Sequence, residues 1–255
     1  MEYYDLTSMT WEEVKDALDT IQFAIIPIGA HEQHGPHMVE SCDAVLAERM
    51  AKKLCERMHP YAVVTPVINM GVSQHHLNFP GTIALQPTTL IAILRDMIAS
   101  LQFHGINKFL LLNSHGGNQS TLNLASLTLS KELSVEIYFA KTTASAKHSI
   151  KEFITSPLFG HSCEREVSEA LYLAPELIRP DKITKGTIQD QGRWKQLRPG
   201  NAIQGYYSYD EMTENGCIGD ATKASREIGE RIVEEALDNL VRELSQLLKI
   251  RVDVQ

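Results

Sequence analysis

The stretch PIGAHEQHGPHMVESCDAV, residues 27–45, gathers Glu32, His34, His37, Glu40 and Asp43 directly behind the apolar run 23–26. Carboxylates and imidazoles at this density suit two chemistries: holding a divalent cation and moving protons near neutral pH. Glu32 and His34 lie two residues apart, so in an extended chain their side chains face the same way. Asp43 falls at the start of a predicted helix, where the helix dipole favours a carboxylate, and there it reads either as an N-cap or as a ligand. Together, Glu32, His34 and Asp43 favour a metal site over a merely polar loop.

Three further clusters carry similar chemistry. GVSQHH, residues 71–76, supplies Ser73 and His76. NSHGGN, residues 113–118, supplies His115, with Gly116 and Gly117 allowing close backbone approach and Asn113 and Asn118 able to orient neighbours. In HSCERE, residues 161–166, His161 and Glu164 are neighbours at helical spacing. Read alone, that last cluster is an ordinary acidic first turn of a helix.

The elements that must position these groups alternate. Short β-rich runs are predicted at 23–28, 62–68, 108–112 and 135–140, with Pro66 weakening the second. Helices are predicted over 43–58, from Gln86-Pro87-Thr88 to about Gly105, over 119–133, from about Glu164, and over 224–249. The strands read as continuous apolar runs, so the fold class is α/β, a three-layer α/β/α sandwich around a mainly parallel sheet. Polar clusters follow three of the strands directly. In such sheets the carboxyl ends of the strands form the ligand crevice, so clusters far apart in sequence should meet there. Residues 181–215, with Trp194 and Tyr206, Tyr207 and Tyr209, read as an elaborated loop region, facing the substrate or simply an excursion.

Composition sets the limits. The 255 residues suffice for one α/β domain covering 1–255, and neither a repeat nor a linker divides them. A net charge of −8 without basic runs argues against a nucleic-acid partner. There is no basic-then-apolar leader and no apolar run of membrane-spanning length, so no membrane partner is expected. The four scattered cysteines form no CxxC pair, which favours a reducing, cytoplasmic setting.

The motifs PIGAHEQHGPH with Asp43, GVSQHHLNFPGT, NSHGGN, HSCEREVS, LAPELI and GCIGDATKAS occur in one order between about residues 25 and 225. Together they resemble the creatininase (creatinine amidohydrolase) family. The resemblance implies a two-metal hydrolase, with hexameric assembly common, acting on a small-molecule substrate through a bridging hydroxide. It implies two divalent ions, zinc, manganese or iron, one held by Glu32, Asp43 and His115, the other by His34 and Asp43. A glutamate ligand of creatininase falls here on Gly117, and Glu164 is expected to replace it. His161 is the expected proton shuttle, with Glu166 also assigned to the catalytic group. Ser73, His76, Gly116 and Gly117 are expected to position the substrate, and His37 and Glu166 to orient the ligands. The tryptophan that creatininase places before this histidine is absent from SPLFG, where Phe159 stands nearby, so creatinine itself is a doubtful substrate. The expected reaction is cleavage of a cyclic amide, a formamide or a related C–N bond. Ring opening of a keto-inositol at a C–C bond, or small-ligand binding without turnover, are the alternatives.

Overall fold

The structure, a computed structural model, describes residues 3–189, 192–197 and 200–251. Five parallel strands form one sheet in the order β1-β3-β2-β4-β5: β1 (Tyr4–Asp5), β2 (Phe23–Ile28), β3 (Ala62–Val64), β4 (Lys108–Asn113) and β5 (Glu136–Lys141). In the register of the central pair, Ile25 lies opposite Leu110 and Ile28 opposite Asn113. The second predicted strand is shorter than expected. Its ladder stops at Val64, because Pro66 has no N–H to give, and Ile68 makes only an isolated bridge to Ile28.

Alternation along the strands divides the core in two. Ile25, Leu110 and Leu112 face one side, where they meet α2 (Cys42–Arg57), α5 (Lys147–Phe153) and the long closing helix α8 (Arg226–Leu248). Ala24, Ile26, Phe109 and Leu111 face the other, against α1 (Trp11–Ala17), α3 (Pro87–Phe103) and α4 (Gln119–Leu133). The result is the expected three-layer sandwich. Beyond it, α6 (Glu164–Leu173) packs on α2 and α8. Gly229 of α8 allows that contact, since a Cβ there would fall 1.8 Å from the Ser168 carbonyl.

The apolar periodicity located α2, α3, α4, α6 and α8 closely. It passed over β1, α1 and α5, which are only two to seven residues long. The excursion 181–215 has a small core of its own. Trp194, on the short turn α7 (Trp194–Leu197), is buried against Met212 and Ile218, so it serves packing and does not line the metal centre.

The sheet order places the chemistry. From β2 the chain moves outward to β3, then crosses back over β2 to β4, so β2 lies between the two at the point where strand order reverses. The loops leaving β2, β3 and β4 therefore open onto one crevice. Asn118 ties them together: its Oδ1 accepts from Val72 N at 2.8 Å, and its Nδ2 donates to Gly29 O and Asn113 Oδ1.

Candidate metal centre

Each ligand candidate is delivered by local backbone chemistry. Gly29 ends β2 without a side chain, because a Cβ there would meet Ala44 N at 2.3 Å. The first turn of α2 presses into that gap, and Ser114 Oγ anchors it by donating to Asp43 O at 2.6 Å. Asp43 is thus carried to the ends of β2 and β4. The N-cap of α2 is Ser41, so the capping role open to Asp43 falls away. His115 stands two residues past β4, at the start of the tight turn Gly116–Asn118. Ser73 begins the turn Gln74–His76, which presents His75 and His76.

These groups converge. Asp43 Oδ1 lies 3.4 Å from His34 Nε2, and its Oδ2 lies 3.2 Å from His115 Nδ1. Glu32 Oε1 lies 3.1 Å from His115 Nδ1, 3.4 Å from His76 Nε2 and 3.8 Å from His161 Nδ1. Asp43 and His115 come from segments 72 positions apart, and their proximity is what a shared ion requires.

Three of the histidines that face the carboxylates each spend one ring nitrogen on a main-chain carbonyl. His34 Nδ1–H donates to Glu32 O at 3.0 Å, His115 Nε2–H to Val72 O at 3.1 Å, and His161 Nε2–H to Gln33 O at 2.7 Å. Each then turns its other nitrogen toward the carboxylates. Metal-binding imidazoles are oriented in this way, with the remote N–H fixing the tautomer.

Both oxygens of Glu32, Asp43 Oδ2 and His34 Nε2 are buried without a hydrogen-bond partner among the described residues. Leaving buried carboxylate oxygens bare is costly in an ordinary polar core. Apart from one another they face imidazole nitrogens at 3.1–3.4 Å, and carboxylate and imidazole donors in this arrangement fit divalent cations. Among the described residues, four overlapping groups have donor atoms within 4.8 Å of one another: Glu32-His34-Asp43, Glu32-His75-His115, Glu32-His76-His161 and His34-His161-Glu166.

The electrostatics follow from this packing. Burial pushes the His34 imidazole down, but Asp43, joined by Glu166 and Glu32, raises it to about 9. His115 is likewise raised against burial, by Glu32 and Asp43. Burial raises the carboxyls of Glu32 and Asp43, yet the neighbouring histidines hold both below the usual carboxylate range. Burial and the neighbouring His34 keep His161 low, and burial lowers His75 to about 4. In the ion-free chain, protons on His34 and His115 thus balance two buried carboxylates.

The expected ligand Glu164 stands apart. Its Oε1 accepts from Ser156 N at 3.1 Å and its Oε2 from Asp220 N at 3.0 Å, so it braces two loops and joins none of the donor groups. Glu166, two residues on, is the one whose carboxylate lies within 4.8 Å of the donor nitrogens of His34 and His161, while its Oε2 accepts from Ser162 N at 2.5 Å. Helical geometry explains the exchange: one residue of the pair faces the centre and the other the loops behind it. His37 Nε2 donates to Ser162 O at 3.1 Å and steadies the turn before α6. Ser73 Oγ lies 3.3 Å from His115 Nε2. Gly116 is open, whereas a Cβ on Gly117 would strike Val72 O at 2.3 Å and His115 Nε2 at 2.4 Å.

Two participants, His75 and Gln33, carry no signal of their own in the sequence, and a third, Tyr209, is left open there. His75 was visible only as half of a His-His pair. Gln33 lies between Glu32 and His34 and faces the other way in an extended chain. Its Nε2 donates to His76 Nδ1 at 2.9 Å, and its Oε1 accepts from Gly35 N at 2.8 Å. Tyr209 comes from the excursion, its ring 4.0 Å from that of His76.

Fold and site together define a metal-dependent hydrolase on a three-layer α/β/α scaffold. The creatininase family model, described as creatinine amidohydrolase, matches residues 7–244, and the chain belongs to that family. It is 26% identical over 229 residues to the mycofactocin precursor peptide peptidase of Mycobacterium ulcerans, covering 87% of this chain and 84% of that protein. It is also 26% identical to the 3-dehydro-scyllo-inosose hydrolase of Thermotoga maritima, over 95% of this chain and 83% of that protein. The fold matches solved creatinine amidohydrolase with a TM-score of 0.83 at 24% identity, over 97% and 99% of the two chains. Creatininase has been solved in a manganese form and, as a variant, in a Zn–Zn form.

Proposed function

We propose that the chain cleaves a small cyclic amide, a formamide or a related C–N bond at a pair of divalent cations. The bare, buried donor atoms of Glu32, His34 and Asp43 carry this reading. Glu32, Asp43 and His115 would hold one ion, and His34, Asp43 and Glu166 the other, with Asp43 shared. Mixed imidazole and carboxylate donors suit zinc, manganese or iron(II). Such ions, when bound, supply an activated water and polarise the scissile carbonyl.

The chain's own groups do the rest. His161, its Nε2–H anchored on Gln33 O, keeps Nδ1 open toward the centre. It takes up a proton there and delivers it to the leaving nitrogen. Gln33 and Glu166 hold His161 and its turn in register. Ser73, His76 and the backbone at Gly116 and Gly117 position the substrate carbonyl. Four buried free cysteines support a reducing, cytoplasmic setting. No helix of the described residues is long and apolar enough to cross a membrane. The reading extends to a homo-oligomer, a hexamer as in the family, acting on a small molecule.

Ring opening of a keto-inositol is a second reading, favoured by the long match to the inosose hydrolase. The same centre serves both reactions, and a panel of lactams, formamides and cyclic ketones separates them. Metal occupancy without turnover across the panel would favour a non-catalytic binder. Elemental analysis of purified protein tests the centre: Asp43→Ala should lose its ions, and a folded, ion-free wild type refutes the proposal. His161→Gln should keep its ions and lose about 10²–10⁴-fold in kcat.

A further inference from the structure

One imidazole at the centre has no role in the proposed reaction. His75 and His76 follow one another on the short turn Gln74–His76. The turn is tied down by His76 N, which donates to Ser73 O at 2.9 Å, and by Gln74 Nε2, which donates to Leu85 O at 2.7 Å. A 3₁₀ turn sends consecutive side chains about 120° apart. Both rings nonetheless border the centre, their centroids 4.4 Å apart. His76 faces Glu32 Oε1 and Gln33 Nε2. His75 faces His115 instead: the two rings are nearly parallel, at 12°, with centroids 5.7 Å apart.

Donor atoms of His75, Glu32 and His115 all lie within 4.8 Å of one another. His115 Nδ1 in turn stands 3.1 Å from Glu32 Oε1 and 3.2 Å from Asp43 Oδ2, so His75 adjoins the set Glu32, Asp43 and His115. The room it occupies depends on a glycine. A Cβ on Gly117 would fall 2.8 Å from His75 Cε1, closer than real Cβ atoms come to a neighbour, so a side chain there would displace the imidazole. His34, His115 and His161 each commit one ring nitrogen to a main-chain carbonyl, and His76 commits one to Gln33. The ring of His75 has other rings as its described neighbours: His76, His115 and Tyr209, the last at 5.3 Å.

We infer that His75 is a further ligand of the ion that Glu32, Asp43 and His115 would hold, giving that ion two imidazoles and two carboxylates. The inference rests on the two-ion reading and extends it. Zinc accepts imidazole and carboxylate donors at this count, and expansion to five-coordination leaves a position for water.

The test uses the full chain without substrate. X-ray absorption on the zinc-loaded wild type should count three imidazoles for each pair of zinc ions, from His34, His75 and His115. His75→Phe keeps a ring against His115 and Tyr209 but offers no nitrogen, and it should lose one imidazole from that count. Zinc is also titrated against a chromophoric chelator in the wild type, His75→Phe and His75→Gln. Losing a group that merely orients a ligand already costs about 10–100-fold in metal affinity. Both variants should therefore bind one zinc ion at least about tenfold more weakly and the other as the wild type does. A count of two imidazoles in the wild type overturns the inference, whether or not the variants fold. So does wild-type affinity for both ions in either folded variant, the result that a histidine reserved for packing or for substrate would give. A folded wild type that binds no zinc sinks the two-ion reading itself, and the titration tells that outcome from the others.

Discussion

Asp43→Asn keeps the shape of a buried side chain and removes the charge that holds a proton on His34. In the ion-free wild type, Asp43 Oδ1 lies 3.4 Å from His34 Nε2 and, with smaller help from Glu166 and Glu32, raises that imidazole against burial to about 9. A histidine with a raised pKa stabilises the fold while it is protonated. The contribution is complete below the unfolded value of about 6.5 and is lost as pH rises through about 9. That difference is worth roughly 3 kcal/mol. For a chain of this length it corresponds to about 6–12 °C in Tm. His115, raised against burial by Glu32 and Asp43, adds in the same direction. Asp43 stays ionised throughout, since the histidines hold its carboxyl far below this window. The assay is thermal unfolding in EDTA, followed by circular dichroism from pH 6.5 to 9.5. Wild-type Tm should fall across the window, Asp43→Asn should fall much less, and zinc should flatten the wild-type curve by taking the place of the protons. An ion-free wild type with a flat Tm from 6.5 to 9.5, or an Asp43→Asn variant with the full wild-type slope, refutes the reasoning.

Two further outcomes follow from the packing. Glu166→Gln should lower ion content while Glu164→Gln leaves it intact and instead weakens the fold, because Glu164 accepts from Ser156 N and Asp220 N; elemental analysis and Tm on both variants check this. Gly229→Ala should destabilise by about 1–3 kcal/mol or more, since its Cβ would fall 1.8 Å from the Ser168 carbonyl, and urea unfolding would show it.

Much of the site was legible in the residues themselves. Glu32, His34, Asp43 and His115 stood out because imidazoles and carboxylates are rarely placed directly behind apolar strands. Strand ends in a parallel sheet gave them a common destination. The choice between Glu164 and Glu166 was not legible. Both lie in the first turn of α6, and which one faces the centre depends on how α6 sits against α2 and the loops at Ser156 and Asp220. Tyr209 was half legible: its excursion reads either as facing the substrate or as an ordinary loop, and nothing along the chain marks the histidine ring it packs against.

The sequence by itself determined the alternation of strands and helices, the two apolar faces of the sheet and the family, because periodicity and motif order are local properties of the chain. Only the tertiary structure decided which donor atoms share a centre, which glutamate of α6 stands among them, and which aromatic ring packs on the histidines. Those outcomes depend on distances between segments far apart in the chain, such as the 4.0 Å between the rings of His76 and Tyr209, and no spacing along the chain encodes them.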